Sequence, residues 1–429
     1  MRLRRLLVIG ALGTLALSGC APVQSTSQSS GTDEKSGTLR VWLFDEVNRA
    51  PKEAVVAEAV KEFEARNAGV KVDVQYIQIA SRAERFKAAF SDAKSAPDVA
   101  EFGNTDLAGY VASGGFTDLT ADIAAWPEGK DLSPSVLETG KVDGKVYGVP
   151  WFVGLRALYY RTDVFAELGV QPPKAIEEIA PLARRIRQAK PELYGISVGG
   201  KYTYAMLPFV WAAGGEIAKQ DNGKWSSTVD SASTRAGIAR YTELLKDDIC
   251  PPAQCAQNGG DASVQQFVSG KAAMTIGGNF NRQAVEAGAA KGKYAVVPLP
   301  GNAAGSVAPA FAGGNLLGVL KSTQRRTLAK DFMQLLGGKQ YQEKLYRAMG
   351  NLPTFSDLQR TLGANDPFVK PFITTSEAGT RFVPATPAWA KIDAQAVLPN
   401  MIQQVITGAQ PVDQASSAAA QLMNSAFTS

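Results

Sequence analysis

The stretch Thr38-Leu39-Arg40-Val41-Trp42-Leu43-Phe44 decides the fold of this chain. It is β-branched, aliphatic and aromatic, and it reads as a strand. The residues after it alternate between helix and strand. Lys52–Asn67 places Val55, Val56, Ala59 and Phe63 on one face at helical spacing. Over 70–77, Val70, Val72, Val74 and Tyr76 point one way and Lys71, Asp73 and Gln75 the other, which predicts a second strand. Ser81–Asp92 reads as a helix, Asp98–Phe102 as a short strand and Asp106–Ser113 as a short helix. Strand–helix–strand order predicts an α/β sheet with helices on both faces. Ligands of such sheets bind beyond the carboxyl ends of the strands. The segments to inspect are therefore Phe44-Asp45-Glu46 and Glu101-Phe102-Gly103-Asn104-Thr105.

A second α/β region begins near Trp151. Strands are predicted over 156–161, 194–198, 272–276, 295–298 and 316–320. Helices are predicted over 177–189, 204–213, 234–246 and 327–349, and again beyond Pro387.

The 429 residues allow two domains, because a single core rarely grows past roughly 250–300 residues. An apolar share of 45% is ordinary for a globular protein. The first 19 residues carry Arg2, Arg4 and Arg5 and no acid. Without them the formal net charge falls from +5 to +2, which gives no electrostatic case for nucleic acid.

The chain holds no histidine, which excludes Ser-His, Cys-His and His-metal chemistry within it. Neither a phosphate loop, a dinucleotide fingerprint nor a G-x-S-x-G elbow is present. A glycosidase needs only two carboxylates, so a secreted enzyme of that kind stays open as an alternative. Acid pairs such as Glu177-Glu178 and Asp247-Asp248 read as solvated faces.

At the start, a basic head is followed by a mostly apolar run from Leu6 to Leu17, too short to span a bilayer. This describes an export signal over 1–19. Its ending, Leu17-Ser18-Gly19-Cys20, resembles the bacterial lipobox, in which Cys20 receives lipid. A Ser-rich tether over 20–37 would lift the globular part off the outer face of the cell membrane. In an oxidising compartment Cys250 and Cys255 are expected to form a local disulfide, and no metal site remains once they pair.

Several patterns recur in order along nearly the whole mature chain. They include Phe63-Glu64 before Gly69-Val70-Lys71-Val72, Ala96-Pro97-Asp98-Val99, and Gly144-Lys145-Val146-Tyr147-Gly148-Val149-Pro150. Further along come Tyr159-Tyr160-Arg161-Thr162-Asp163, Gly214-Gly215, the run Phe267 to Met274, Asn351-Leu352-Pro353-Thr354 and Trp389. Together they resemble the solute-binding proteins of bacterial sugar ABC importers, the family that includes maltose-binding protein.

That resemblance implies two α/β lobes of the periplasmic-binding-protein type, joined by three chain crossings near Val149, Phe311 and residues 357–365. The first lobe would comprise 38–149 plus 312–360, and the second 150–311 plus 361–429. The family pattern puts an aromatic platform at Phe102, with Asn104, Thr105 and Asp106 as polar neighbours. It puts further rings at Tyr204, at Phe280 after Asn279, and at Trp389. Maltose-binding protein has Trp at the positions of Phe102 and Phe280, and an acid at Gly154, so simple maltose fits this chain less well. The segment from Pro97 to Asp106 also looks like actinobacterial chito-oligosaccharide receptors, which makes diacetylchitobiose the first ligand and maltose-type or other plant-derived glucans the next. No cofactor is implied. A permease is the protein partner, and a monomer is expected. A metal-ion binder on the same fold is a third reading, disfavoured by the absence of histidine.

Each ring has a structural alternative. Phe102 could be core at a strand end, and Tyr204 and Phe280 could pack between helices. Trp151 is either a cleft wall or hinge packing. Trp42, Trp211 and Trp225 read as structural. Of Phe44, Asp45 and Glu46, at least one is expected to face the cleft. Asn315 and Arg381 are rim candidates, although a loop salt bridge accounts for Arg381 nearly as well.

Overall fold

A computed structural model describes residues 33–46 and 49–428. The export signal, Cys20 and the tether up to residue 32 lie outside the described residues. The tether was expected to run free to residue 37, but its last residues are docked. The Glu34 amide donates to the Gln324 carbonyl at 2.8 Å, and Arg325 Nε donates to the Ser36 carbonyl at 3.0 Å.

The strand Gly37–Phe44 is hydrophobic at every second position, and the two sets bury on opposite faces. Leu39, Val41 and Leu43 pack with the helices Ala50–Arg66 and Arg326–Leu336, while Trp42 and Phe44 pack with Phe86 of the helix Arg82–Ser91. A strand buried on both faces belongs inside a sheet covered by helices. It pairs in parallel with Val70–Ile77 on one side and Val99–Gly103 on the other. Gly313–Val319 and then Val149–Gly154 complete this five-stranded first sheet, both joined antiparallel.

A second sheet is built on Arg156–Arg161, which lies between Met274–Gly278 and Tyr294–Val297, both antiparallel. Parallel bridges from Tyr194 and Ser197 extend it where a full strand was expected over 194–198. Helices Ile179–Ala189, Thr203–Ala212 and Ala232–Glu243, with the three helices after Pro387, enclose the core that Leu158, Met274 and Ile276 share. Cys250 and Cys255 are disulfide-bonded and fully buried in that core.

Successive strands in different sheets mark where the chain changes lobe. Val149–Gly154 is in the first sheet and Arg156–Arg161 in the second, so the passage is at Leu155. This corrects the expectation of a crossing near Val149. Residues 150–154 stay with the first sheet because Trp151 buries against the Arg326–Leu336 helix, its indole N–H donating to the Leu336 carbonyl at 3.2 Å. The return passage is at Ala312, between Ala310–Phe311 and Gly313–Val319. Further on, Phe355 packs in the first core and Leu362 in a cluster with Phe267 and Phe372 that Val153 and Leu352 also join.

Candidate functional site

A cavity of about 680 Å³ is lined by residues of both lobes. That volume lies within the range of small-ligand pockets. Of the residues singled out in the sequence, Glu46, Asn104, Thr105, Tyr204, Phe280 and Asn315 line it.

The first-lobe wall sets polar groups that are already hydrogen bonded beside apolar Pro51, Ile79, Phe152 and Met349. Asn104 follows the strand end at Gly103, and its Nδ2 donates to the Ala312 carbonyl at 2.8 Å. Asn315 Nδ2 donates to Glu101 Oε1 at 2.6 Å. Glu101 is fully buried. Its other oxygen accepts from Lys52 Nζ at 2.8 Å and from the Phe44 amide at 2.7 Å. Lys52 is 1% exposed, reaches Glu46 Oε1 at 3.2 Å, and lies 5.2 Å from the Trp151 ring centroid. Glu101 therefore stands behind the wall and orients Asn315 from there. A buried pair of this kind is costly to break because the survivor becomes an uncompensated charge.

The second-lobe wall carries the aromatic rings, beside polar Asp261, Asn281 and Gln283. Tyr204 stacks on Phe311 at 4.2 Å and 10°, and Phe311 stacks on Phe382 at 5.6 Å and 8°. Burial pushes the Tyr204 hydroxyl pKa up, and Asp393 adds to that shift. Phe280 is 41% exposed, high for so large an apolar ring. It stands on a pinned turn. The Gly278 amide donates to Asn281 Oδ1 at 2.7 Å, the Tyr159 hydroxyl donates to the Gly278 carbonyl at 2.6 Å, and Asn279 Oδ1 accepts from the Leu155 amide at 2.9 Å. The ring lies against two glycines. A Cβ on Gly278 would sit 2.3 Å from it and one on Gly154 3.0 Å. The missing acid at Gly154 thus makes room for Phe280.

Arg156 was not anticipated. Its guanidinium carbon lies 5.4 Å from the Tyr204 ring centroid, 5.5 Å from Tyr202, 5.9 Å from Phe280 and 6.0 Å from Phe311. The available signal was a charge at the head of an otherwise buried strand, Arg156-Ala157-Leu158-Tyr159, just past a lobe crossing. Phe152 and Phe311 also line the cavity and were not named as ligand groups.

The remaining expectations do not meet at the cavity. Phe102 is fully buried, 4.3 Å from Phe116 and 6.4 Å from Phe86 between ring centroids. Its strand is central, so both faces are covered and the cleft begins only at Gly103. Phe44 is in the same core. Asp45 accepts from Gln78 Nε2 at 2.6 Å, and Asp106 is paired with Arg82 at 2.7 Å. Trp151 is fully buried. Asn279 is 1% exposed and stitches Leu155 to the Gly350 carbonyl. Arg381 forms an exposed ion pair with Glu216. Trp389 is 2% exposed in the second-lobe core, and its indole nitrogen has no partner among the described residues.

Comparison with known proteins agrees with this architecture. The profile of the family described as bacterial extracellular solute-binding protein matches residues 48–343. The diacetylchitobiose binding protein DasA of Streptomyces coelicolor is 29% identical over 433 residues, covering 97% of this chain and 96% of its own. The galactooligosaccharide-binding protein of Bacillus subtilis is 25% identical over 361 residues, 83% of this chain and 80% of its own. Among solved structures, the sugar-binding protein MalE from Xanthomonas citri has a TM-score of 0.79 at 25% identity, covering 91% of this chain and 98% of that one. The GacH receptor of Streptomyces glaucescens has a TM-score of 0.77 at 21% identity, covering 92% and 99%, and shows the same fold.

Proposed function

This chain belongs to the bacterial extracellular solute-binding protein family, and from that premise we propose that it captures an oligosaccharide between its lobes and hands it to an ABC permease. The observation that carries the reading is the two-sided cavity. A pyranose presents a face of C–H groups and a rim of hydroxyls. Tyr204, backed by Phe311, and Phe280 offer π-faces for the first, and Glu46, Asn104, Thr105 and Asn315 offer polar groups for the second. Closure of the lobes would exclude water, so the ligand biases an open–closed equilibrium. The three chain passages serve as the hinge, and the protein acts as a monomer. Diacetylchitobiose is the first ligand to test, because the relative DasA is named for it. Maltose-type sugars come second.

The protein is placed at the outer face of the cell membrane by lipid on Cys20 after removal of residues 1–19. Among the described residues, no helix is long and apolar enough to cross a membrane.

Calorimetric titration with a set of oligosaccharides tests the function. Micromolar affinity, about −8 kcal/mol, with the sugar recovered intact is the expected result. Absence of binding across the set would sink it, and cleavage products would replace it with an enzyme.

A further inference from the structure

Arg156 is the one cation among the described residues that line the cavity, and its surroundings are unusual for a charge. The groups around it are the rings of Tyr202, Tyr204, Phe280 and Phe311. Its Nε donates to the Tyr202 hydroxyl at 2.9 Å, and Tyr202 is 5% exposed. Among the described residues that hydroxyl is its hydrogen-bond partner, and no carboxylate lies within ion-pair distance. Two acids line the same cavity, but Glu46 is paired with Lys52 and Asp261 forms no ion pair with Arg156.

A guanidinium carries five N–H donors in a planar fork. Here Nε is engaged, and the terminal nitrogens have no acceptor among the described residues. Cation–π contact offsets part of the cost of removing the charge from water, but it satisfies no N–H. When the lobes close, those donors lose solvent and need an acceptor from the ligand. A planar carbonyl-type oxygen with in-plane lone pairs meets the fork far better than a freely rotating hydroxyl.

We infer that the saccharide selected by this cleft carries a carbonyl or carboxylate oxygen on a ring substituent, and that Arg156 reads it. Resting on the reading of the cleft as a sugar site, this adds the chemistry that separates one sugar from another. Two sources share that chemistry, the acetamido group of an N-acetylhexosamine and the carboxylate of a uronic acid. The aromatic ring of each neighbour holds the guanidinium in position, and the acceptor completes it.

The test compares three β- or α-linked disaccharides by calorimetry on the mature full chain: diacetylchitobiose, cellobiose, which replaces the acetamido group by hydroxyl, and digalacturonate. Maltose and maltotriose are added as neutral glucans. Either diacetylchitobiose or digalacturonate should bind at least tenfold tighter than cellobiose, and the tighter one identifies the source. In Arg156→Gln the gap should shrink to threefold or less, because no stranded guanidinium then penalises cellobiose. Arg156→Lys, which keeps the charge but not the fork, should lose most of the preference as well. Equal binding of cellobiose, a neutral glucan binding best, or a gap that persists in both variants would overturn the inference while leaving the sugar site intact. Failure of every saccharide to bind would overturn the sugar reading itself. The wild-type comparison stands even if a variant proves unstable.

Discussion

On the first-lobe wall, Asn104 is bonded to Ala312 and Asn315 to Glu101, which is itself held by Lys52. On the second-lobe wall, Phe280 stands 41% exposed and Arg156 is ringed by π-faces without an acid. The first wall is fixed by bonds made before any ligand arrives. The second keeps a face of Phe280 and the terminal N–H donors of Arg156 unspent. Pre-organised groups lower the ordering cost of binding, whereas unsatisfied groups discriminate, because a ligand that fails to meet them leaves them stranded. On the proposed reading, the first wall lowers the cost of binding and the second discriminates between ligands.

The comparison breaks most severely at its foundation. Lys52→Met leaves Glu101 as an unpaired buried charge, with an expected loss of about 3–5 kcal/mol in chemical denaturation. Lys52→Met with Glu101→Gln should recover much of it, and a double-mutant cycle reads the coupling. Trp389→Ala should cost a similar amount, about 3–5 kcal/mol, by opening a cavity in the second-lobe core. It should leave sugar affinity unchanged in the protein that remains folded, and a selective loss of affinity would return Trp389 to the site. Trp389→Phe should cost less, since it removes a buried N–H that has no partner among the described residues.

Phe280→Ala sharpens the contrast from the other side. An exposed ring contributes little to stability, so the melting temperature should hold while affinity drops at least tenfold, about 1.4 kcal/mol. Gly154→Ala should displace the same ring and weaken binding in the same direction.

The smallest effect concerns Asp366, which accepts from the Tyr346 hydroxyl at 2.7 Å and pairs with Arg282, two residues beyond Phe280. Burial alone would raise its carboxyl, but the bonds from Tyr346 and Arg282 hold it below its ordinary value. A depressed folded value means its stabilisation is present above the unfolded pKa, about 3.9, and is lost as pH falls through the folded one. Asp366→Asn should therefore cost about 1 kcal/mol at neutral pH. The difference from wild type should vanish in strong acid, and a difference that grows with acidification would refute the assignment.

Periodicity carried most of the fold. Leu39, Val41, Leu43 and the face of Val55, Val56, Ala59 and Phe63 bury where alternation and helical spacing put them. The site was less legible because a strand pattern does not say where the cover over the sheet ends and the cleft begins. Phe102 and Asn104 are two apart, yet one is core and the other lines the cleft. Trp389 illustrates a second limit. A Trp after a Pro-rich approach reads as presented to a ligand, but the helix Ala388–Ala394 turns it into the core. Arg156 was missed because its role depends on four rings brought from three separate segments.

The two asparagines beside the lobe passages share one arrangement. Asn104, from the first lobe, takes the Ala312 carbonyl, and Asn279, from the second, takes the Leu155 amide. A backbone leaving one sheet for another has peptide groups that neither ladder can serve, and here a side chain serves them. The peptide dipoles at both passages are thus answered without a ladder partner, and neither linker carries the desolvation penalty that a bare one would incur.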